Sequence, residues 1–126
     1  MLILVDIDNF DMSHIYLGDR VVNKVKDMKW FQRLGYSTPH YDLVGVYIYV
    51  PLKSYLYKSR IDQLTKIERD ILDNINMVNV TPSLSMGASL REKSIFVEGI
   101  SHIIVKISGI WETNEKYGLT YKIRYH

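Results

Sequence analysis

The chain has 126 residues, 47% of them hydrophobic and 24% charged, with a net charge of +2, ten tyrosines and no cysteine. That length suits one domain with a core of its own. The lack of cysteine excludes a disulfide framework, a thiolate metal site and a cysteine nucleophile, and so small a net charge excludes recognition of nucleic acid by bulk charge alone.

In chain order, the first segment, MLILVDIDNF, has a short apolar run and no basic flank, so it predicts a strand over Leu2–Ile7 and not a signal peptide. No apolar stretch is long enough to span a bilayer, and a soluble intracellular protein is expected. Charge is uneven. Residues 1–15 hold Asp6, Asp8 and Asp11 with no Lys or Arg, whereas residues 16–60 hold eight Lys or Arg against three Asp. This asymmetry says more about partners than the total does. Residues 8–28 are mixed, with extended pieces at Ile15–Leu17 and Arg20–Val25. KWFQRLGYST, from Lys29, reads as a strand ending in a Ser-Thr-Pro turn. Asp42–Pro51, DLVGVYIYVP, is the strongest strand, rich in β-branched and aromatic residues between turn formers.

The spacing of Ile61, Leu64, Ile67, Ile71, Leu72 and Ile75 predicts one amphipathic helix over about 59–76, with Ser59 as its cap. NMVNVTPSLSMGAS, with Pro82 and Gly87, reads as a loop, and KSIFVE, 93–98, as a short strand. HIIVKISGIW and GLTYKIRY, joined by ETNEKY, form a closing hairpin over about 101–125. Strands, a helix and more strands predict a mainly β domain over residues 1–126, an OB-like β-barrel with one packed helix. An α+β antiparallel sheet with a helix is the alternative.

Alternation along strands assigns faces. Val44, Val46, Ile48 and Val50 share one face, and Tyr47 and Tyr49 the other. Trp30, Gln32, Leu34 and Tyr36 share one face, leaving Phe31 between Lys29 and Arg33 on the opposite one. In the hairpin Ile103, Val105 and Ile107 oppose Lys106, and Leu119, Tyr121, Ile123 and Tyr125 oppose Lys122 and Arg124. A bulge at Gly109 would flip Trp111 to the other face. Aromatics mixed with cations on a sheet suit single-stranded nucleic acid, because rings stack on bases for roughly 1–3 kcal/mol each while cations follow the phosphates. The competing reading is that Tyr simply packs well in strands.

Other chemistry is weaker. Asp6 and Asp8 at i, i+2 after an apolar strand suit a shared divalent cation, with Asp11, Asp19 or Asp42 as completing ligands. The βα crossover of such a nuclease is missing, so a solvated strand end or turn is favoured. His14, His40, His102 and His126 lack metal-ligand spacing. Ser37, His40 and Asp42 lie close in sequence, but a proline turn explains them better than a triad. No glycine spacing matches a phosphate loop.

The segment SGIWETNEKYGLTYKI resembles the C-terminal hairpin of a family of small proteins from large double-stranded DNA viruses of eukaryotes. The match runs from Gly109, Ile110, Trp111 and Glu112 to Tyr117, Gly118, Leu119, Thr120, Tyr121 and Lys122. NFDMSHIYLG and LTKIERDIL resemble that family's start and central helix more loosely. The resemblance implies an OB-like single-stranded DNA-binding protein of viral replication or repair, acting in the host cytoplasm or nucleus. The chain ends at IRYH without the acidic recruiting tail common in such proteins. Within the hairpin, Gly109 and Gly118 are expected to permit a bulge and a tight turn, and Trp111 to brace the hairpin.

The expectation is a sequence-tolerant, non-enzymatic binder of single-stranded nucleic acid, DNA before RNA, needing no cofactor and no metal. Phe31, Tyr47 and Tyr49 would stack, and Lys29, Arg33, Lys106, Lys122 and Arg124 would pair with phosphates. The alternative is a viral structural or assembly protein that uses the Tyr-rich face as a protein interface, with homo-oligomers possible through edge strands and no membrane partner.

Overall fold

The computed structural model describes residues 2–22, 30–52, 57–75, 80–92 and 99–126. Half of these lie in strands and under a third in helices, so the protein is mainly β. In chain order the elements are β1 (Leu4–Asp6), β2 (Ile15–Val22), β3 (Trp30–Ser37), β4 (Asp42–Val44), β5 (Val46–Pro51), α1 (Tyr57–Asp73), β6 (Thr81–Ser83), α2 (Ser85–Glu92), β7 (His102–Glu112) and β8 (Lys116–Tyr125). Single 3-10 turns at Ile7–Asn9 and Met12–His14 lead from β1 into β2.

The eight strands form one mixed sheet organised on β7. One edge of β7 pairs with β8 along most of its length. The other edge is divided: His102–Ile107 pairs with β5, and Gly109–Glu112 pairs with β3. β3 continues past β7 to pair with β4, and β2 lies on its far side. β1 runs parallel to β5, and β6 parallel to β8, so the sheet is not purely antiparallel. Among the described residues β1, β2, β4 and β6 each pair with one neighbour, and the ladders leave the sheet open.

Two interruptions let β7 serve two partners. The predicted strand 42–51 divides at Gly45, whose φ of +78° is natural only for glycine. Its N–H donates to Leu34 O at 2.7 Å, so the chain leaves β3 and joins β7 at that point. On β7 the register against β8 shifts between Ile107 and Gly109, leaving Ser108 as the extra residue of a bulge. Beyond it Gly109 and Ile110 are both buried, the side chain of Ile110 enters the core, and Trp111 stands opposite Phe31 on the outer face, the change of face that a bulge predicted.

The inner face is aliphatic. Val46, Ile48 and Val50 meet Ile103, Val105 and Ile107, with Leu34 and Tyr36 beside them, beneath Ile61, Leu64, Ile71 and Leu72 of α1. Each such side chain contributes roughly 1.5–3 kcal/mol on burial. The helix begins at Tyr57, so Ser59 lies inside it and is not its cap, and it ends at Asp73, short of the predicted 76. No helix among the described residues is long and apolar enough to cross a membrane.

The predicted loop 76–89 is corrected in its described part. Thr81–Ser83 pairs with β8, and Ser85–Glu92 is a second helix. Its start is secured from α1: the fully buried Glu68 carboxylate accepts from the N–H of Met86 at 2.9 Å and of Gly87 at 3.0 Å. A cap from another helix leaves no local signal in the sequence. The strand predicted over 93–98, the part of the predicted strand beyond Val22, and Lys29 lie outside the described residues.

Candidate nucleic-acid interface

Directly opposed residues in a ladder share a face, and the registers set the cationic positions side by side on the outer face. Tyr47 of β5 opposes Lys106 of β7, which opposes Lys122 of β8. Tyr49, Ile104 and Arg124 form the next row. On the other half of β7, Arg33 opposes Gly109, and Phe31 opposes Trp111. Inward-facing aliphatics on the same strands fix this orientation, since a one-residue slip would expose the core.

These rows form two adjoining grooves. One, of about 360 Å³, is lined by Leu2, Tyr47, Ile104, Lys106, Lys122, Arg124 and His126. The other, of about 350 Å³, is lined by Phe31, Arg33, Val44, Gly45, Lys106 and Ser108. Lys106 belongs to both, and neither is lined by an Asp or Glu. The Lys106 ammonium stands 5.3 Å from the Tyr47 ring centroid, which steers it away from a free rotamer. Among the described residues no ion pair involves Arg33, Lys106, Lys122 or Arg124. Lys106 and Lys122 are thus like charges in direct opposition, an arrangement that costs stability in the free protein.

Six of the predicted binding residues therefore converge: Phe31, Arg33, Tyr47, Lys106, Lys122 and Arg124. Tyr49 is on the same face but lines neither groove; its ring packs on His102 at 5.0 Å, and His102 in turn stacks on His126 at 4.9 Å. His126 and Leu2 were not singled out in the sequence, and the assignment of Val44 to the core face with Val46, Ile48 and Val50 is corrected: the turn at Gly45 reverses the alternation, and Val44 is 66% exposed on the outer face. Register alone brings them to the grooves, and no motif marks them.

The hairpin residues are structural, with one correction. Gly118 is not in the turn, which falls between β7 and β8 around Thr113–Glu115, but inside β8. A Cβ there would stand 2.7 Å from a Trp111 ring carbon, so glycine leaves room for the indole. Trp111 Nε1 donates to Leu119 O at 3.2 Å, bracing the hairpin as expected. At the Gly109 position the same space is filled by the Phe31 ring, 2.6 Å from where a Cβ would be. Tyr117 is buried, and Tyr121 packs at the margin of the core.

The aspartate pair is engaged otherwise. Asp6 Oδ1 accepts from Asp8 N at 2.9 Å, closing the 3-10 turn. Asp8 accepts two hydrogen bonds from Arg60, at 2.6 and 3.2 Å, and these hold its carboxyl below the usual carboxylate range. Among the described residues no three His, Asp or Glu side chains gather as a metal site. Asp42 accepts from Tyr16 Oη at 2.9 Å.

No protein-family model matches this chain, and no curated protein or solved structure matches it.

Proposed function

We propose that the protein binds single-stranded nucleic acid, DNA in preference to RNA, without enzymatic activity and with tolerance of sequence. The observation that carries this reading is the pair of grooves meeting at Lys106, lined by four cations and two aromatic rings and by no acid. An anion between Lys106 and Lys122 would relieve their opposition, and rings beside the cations would take bases. An OB-like barrel is the proposed form of the sheet. The divided edge of β7, with its bulge at Ser108 and the turn at Gly45, supports that curvature. A place in viral DNA replication or repair is part of the proposal, and its support is the resemblance of the Gly109–Lys122 sequence to the viral family's hairpin.

Titration of intrinsic fluorescence with oligo(dT) tests the binding. Saturable quenching at low salt is expected, weakened at least tenfold by Phe31→Ala combined with Tyr47→Ala, since each stacked base is worth roughly 1–3 kcal/mol. Absence of both quenching and a mobility shift at low salt would sink the reading. A second reading, an assembly protein, is favoured by edge strand β1 and the residues that lead into it, where Leu2 is 57% and Leu4 40% exposed. A doubled mass without nucleic acid would support it.

A further inference from the structure

The outer face has a second sector that adjoins the grooves at Val44 and Arg33. Tyr16 of β2 opposes Gly35 of β3, which opposes Val44 of β4. Val21 opposes Phe31. Tyr16, Val21 and Val44 are 41%, 51% and 66% exposed, so this sector is apolar and open, whereas Lys106, Lys122 and Arg124 make the opposite sector basic. Arg33 stands between the two.

The Tyr16 ring lies over the Gly35 backbone: a Cβ built on Gly35 would be 2.1 Å from Tyr16 Cζ and 2.5 Å from Cε1 and Oη. Its hydroxyl is tied to Asp42 Oδ1 at 2.9 Å. The ring is therefore supported by backbone on one side, fixed at its tip and open to solvent elsewhere. Arg33 is two residues from Gly35 on the same face, roughly 7 Å along the strand, comparable to the reach from a phosphate to its own base. Asp42 lies beyond the ring from Arg33, because it opposes Ser37. A phosphate is thus drawn to the Arg33 side and repelled from the Asp42 side.

We propose that Tyr16 and Arg33 form a further nucleotide station, with the base on Tyr16 and its phosphate on Arg33, so that the bound strand turns its bases toward β2–β4 and its phosphates toward β7–β8. The inference rests on the single-strand reading above and deepens it. Bases turned onto the protein in this way are unavailable for pairing, which excludes duplex from the same site.

The test is fluorescence anisotropy of labelled oligo(dT) of increasing length, with Tyr16→Leu, Tyr16→Phe and Gly35→Ala. Tyr16→Leu is expected to weaken binding about tenfold for oligonucleotides long enough to cross the face, while leaving the shortest bound ones unchanged. Tyr16→Phe, which keeps the ring and loses the Asp42 hydrogen bond, should bind within about threefold of the wild type. Gly35→Ala sets a Cβ against the ring carbons Cζ and Cε1 of Tyr16, displaces the ring from its place and should weaken long oligonucleotides as Tyr16→Leu does; thermal melts of each variant confirm that the sheet is intact. Equal affinity of Tyr16→Leu and wild type at every length, with Phe31→Ala still weakening binding, would overturn this inference and leave the grooves. No binding by the wild type at any length would remove the single-strand reading and the inference with it.

Discussion

Lys106 shows how much of the site depends on one position in a register. Its ladder partners are Tyr47 on one side and Lys122 on the other, so it is steered by a ring and opposed by a like charge at once. Alternation along each strand, read from the sequence, put all three on outer faces. It did not show that they share a row, because pairing register is a property of two strands and not of either. The opposition makes a prediction at this scale. Lys122→Gln removes the repulsion without disturbing the Tyr47 contact, so it should raise stability in urea by about 0.5 kcal/mol while lowering oligonucleotide affinity. A substitution that lowered both would mean that Lys122 supports the fold. The glycines carry a similar lesson. Gly109 and Gly118 stood out in the sequence as turn or bulge formers, but both serve as beds for rings, Phe31 and Trp111. Only spatial neighbours reveal that use of a missing Cβ.

At the level of elements, α1 was legible because its apolar spacing is long and regular, whereas α2 was not. Eight residues containing a glycine give too little period, and its N-terminal N–H groups are satisfied by Glu68, eighteen residues away, instead of by a local cap. Gly87 also allows the two helices to approach, since a Cβ there would stand 2.9 Å from Thr65 Oγ1. Burial raises the Glu68 pKa above its ordinary 4.5, and the two N–H donors and Arg91 offset this only in part. The native state therefore holds that proton more tightly than the unfolded chain does. Its contribution to stability is full below pH 4.5 and declines as pH rises through the raised value. Denaturation of the wild type against Glu68→Gln across pH 4–8 should show the wild type losing ground with rising pH; a constant difference would refute the linkage. Glu68→Ala, which strands both donors in the core, should cost about 3 kcal/mol.

For the whole molecule, the relevant quantity is the field of one face and not the net charge of +2. Helices cover the inner face, the acids of the N-terminal turn are engaged with Arg60 or backbone, and four cations without ion-pair partners among the described residues line the grooves. If all four meet phosphates, the logarithm of the association constant should fall with the logarithm of salt concentration with a slope of about −3, and Lys122→Gln should reduce that slope by about 0.7. A slope near zero would mean that the apolar sector alone holds the ligand.

The sequence by itself determined the mainly β class, the central helix, the closing hairpin and the separation of aliphatic from basic and aromatic faces. These follow from periodicity, a local property of the chain. Tertiary structure decided the rest. It divided one predicted strand at Gly45, because only there does the chain change partners from β3 to β7. It formed α2 around a buried carboxylate contributed by α1. It also gathered residues as far apart as Leu2, Phe31, Lys106 and His126 along two adjoining grooves, because long-range pairing of strands sets positions that no local pattern encodes.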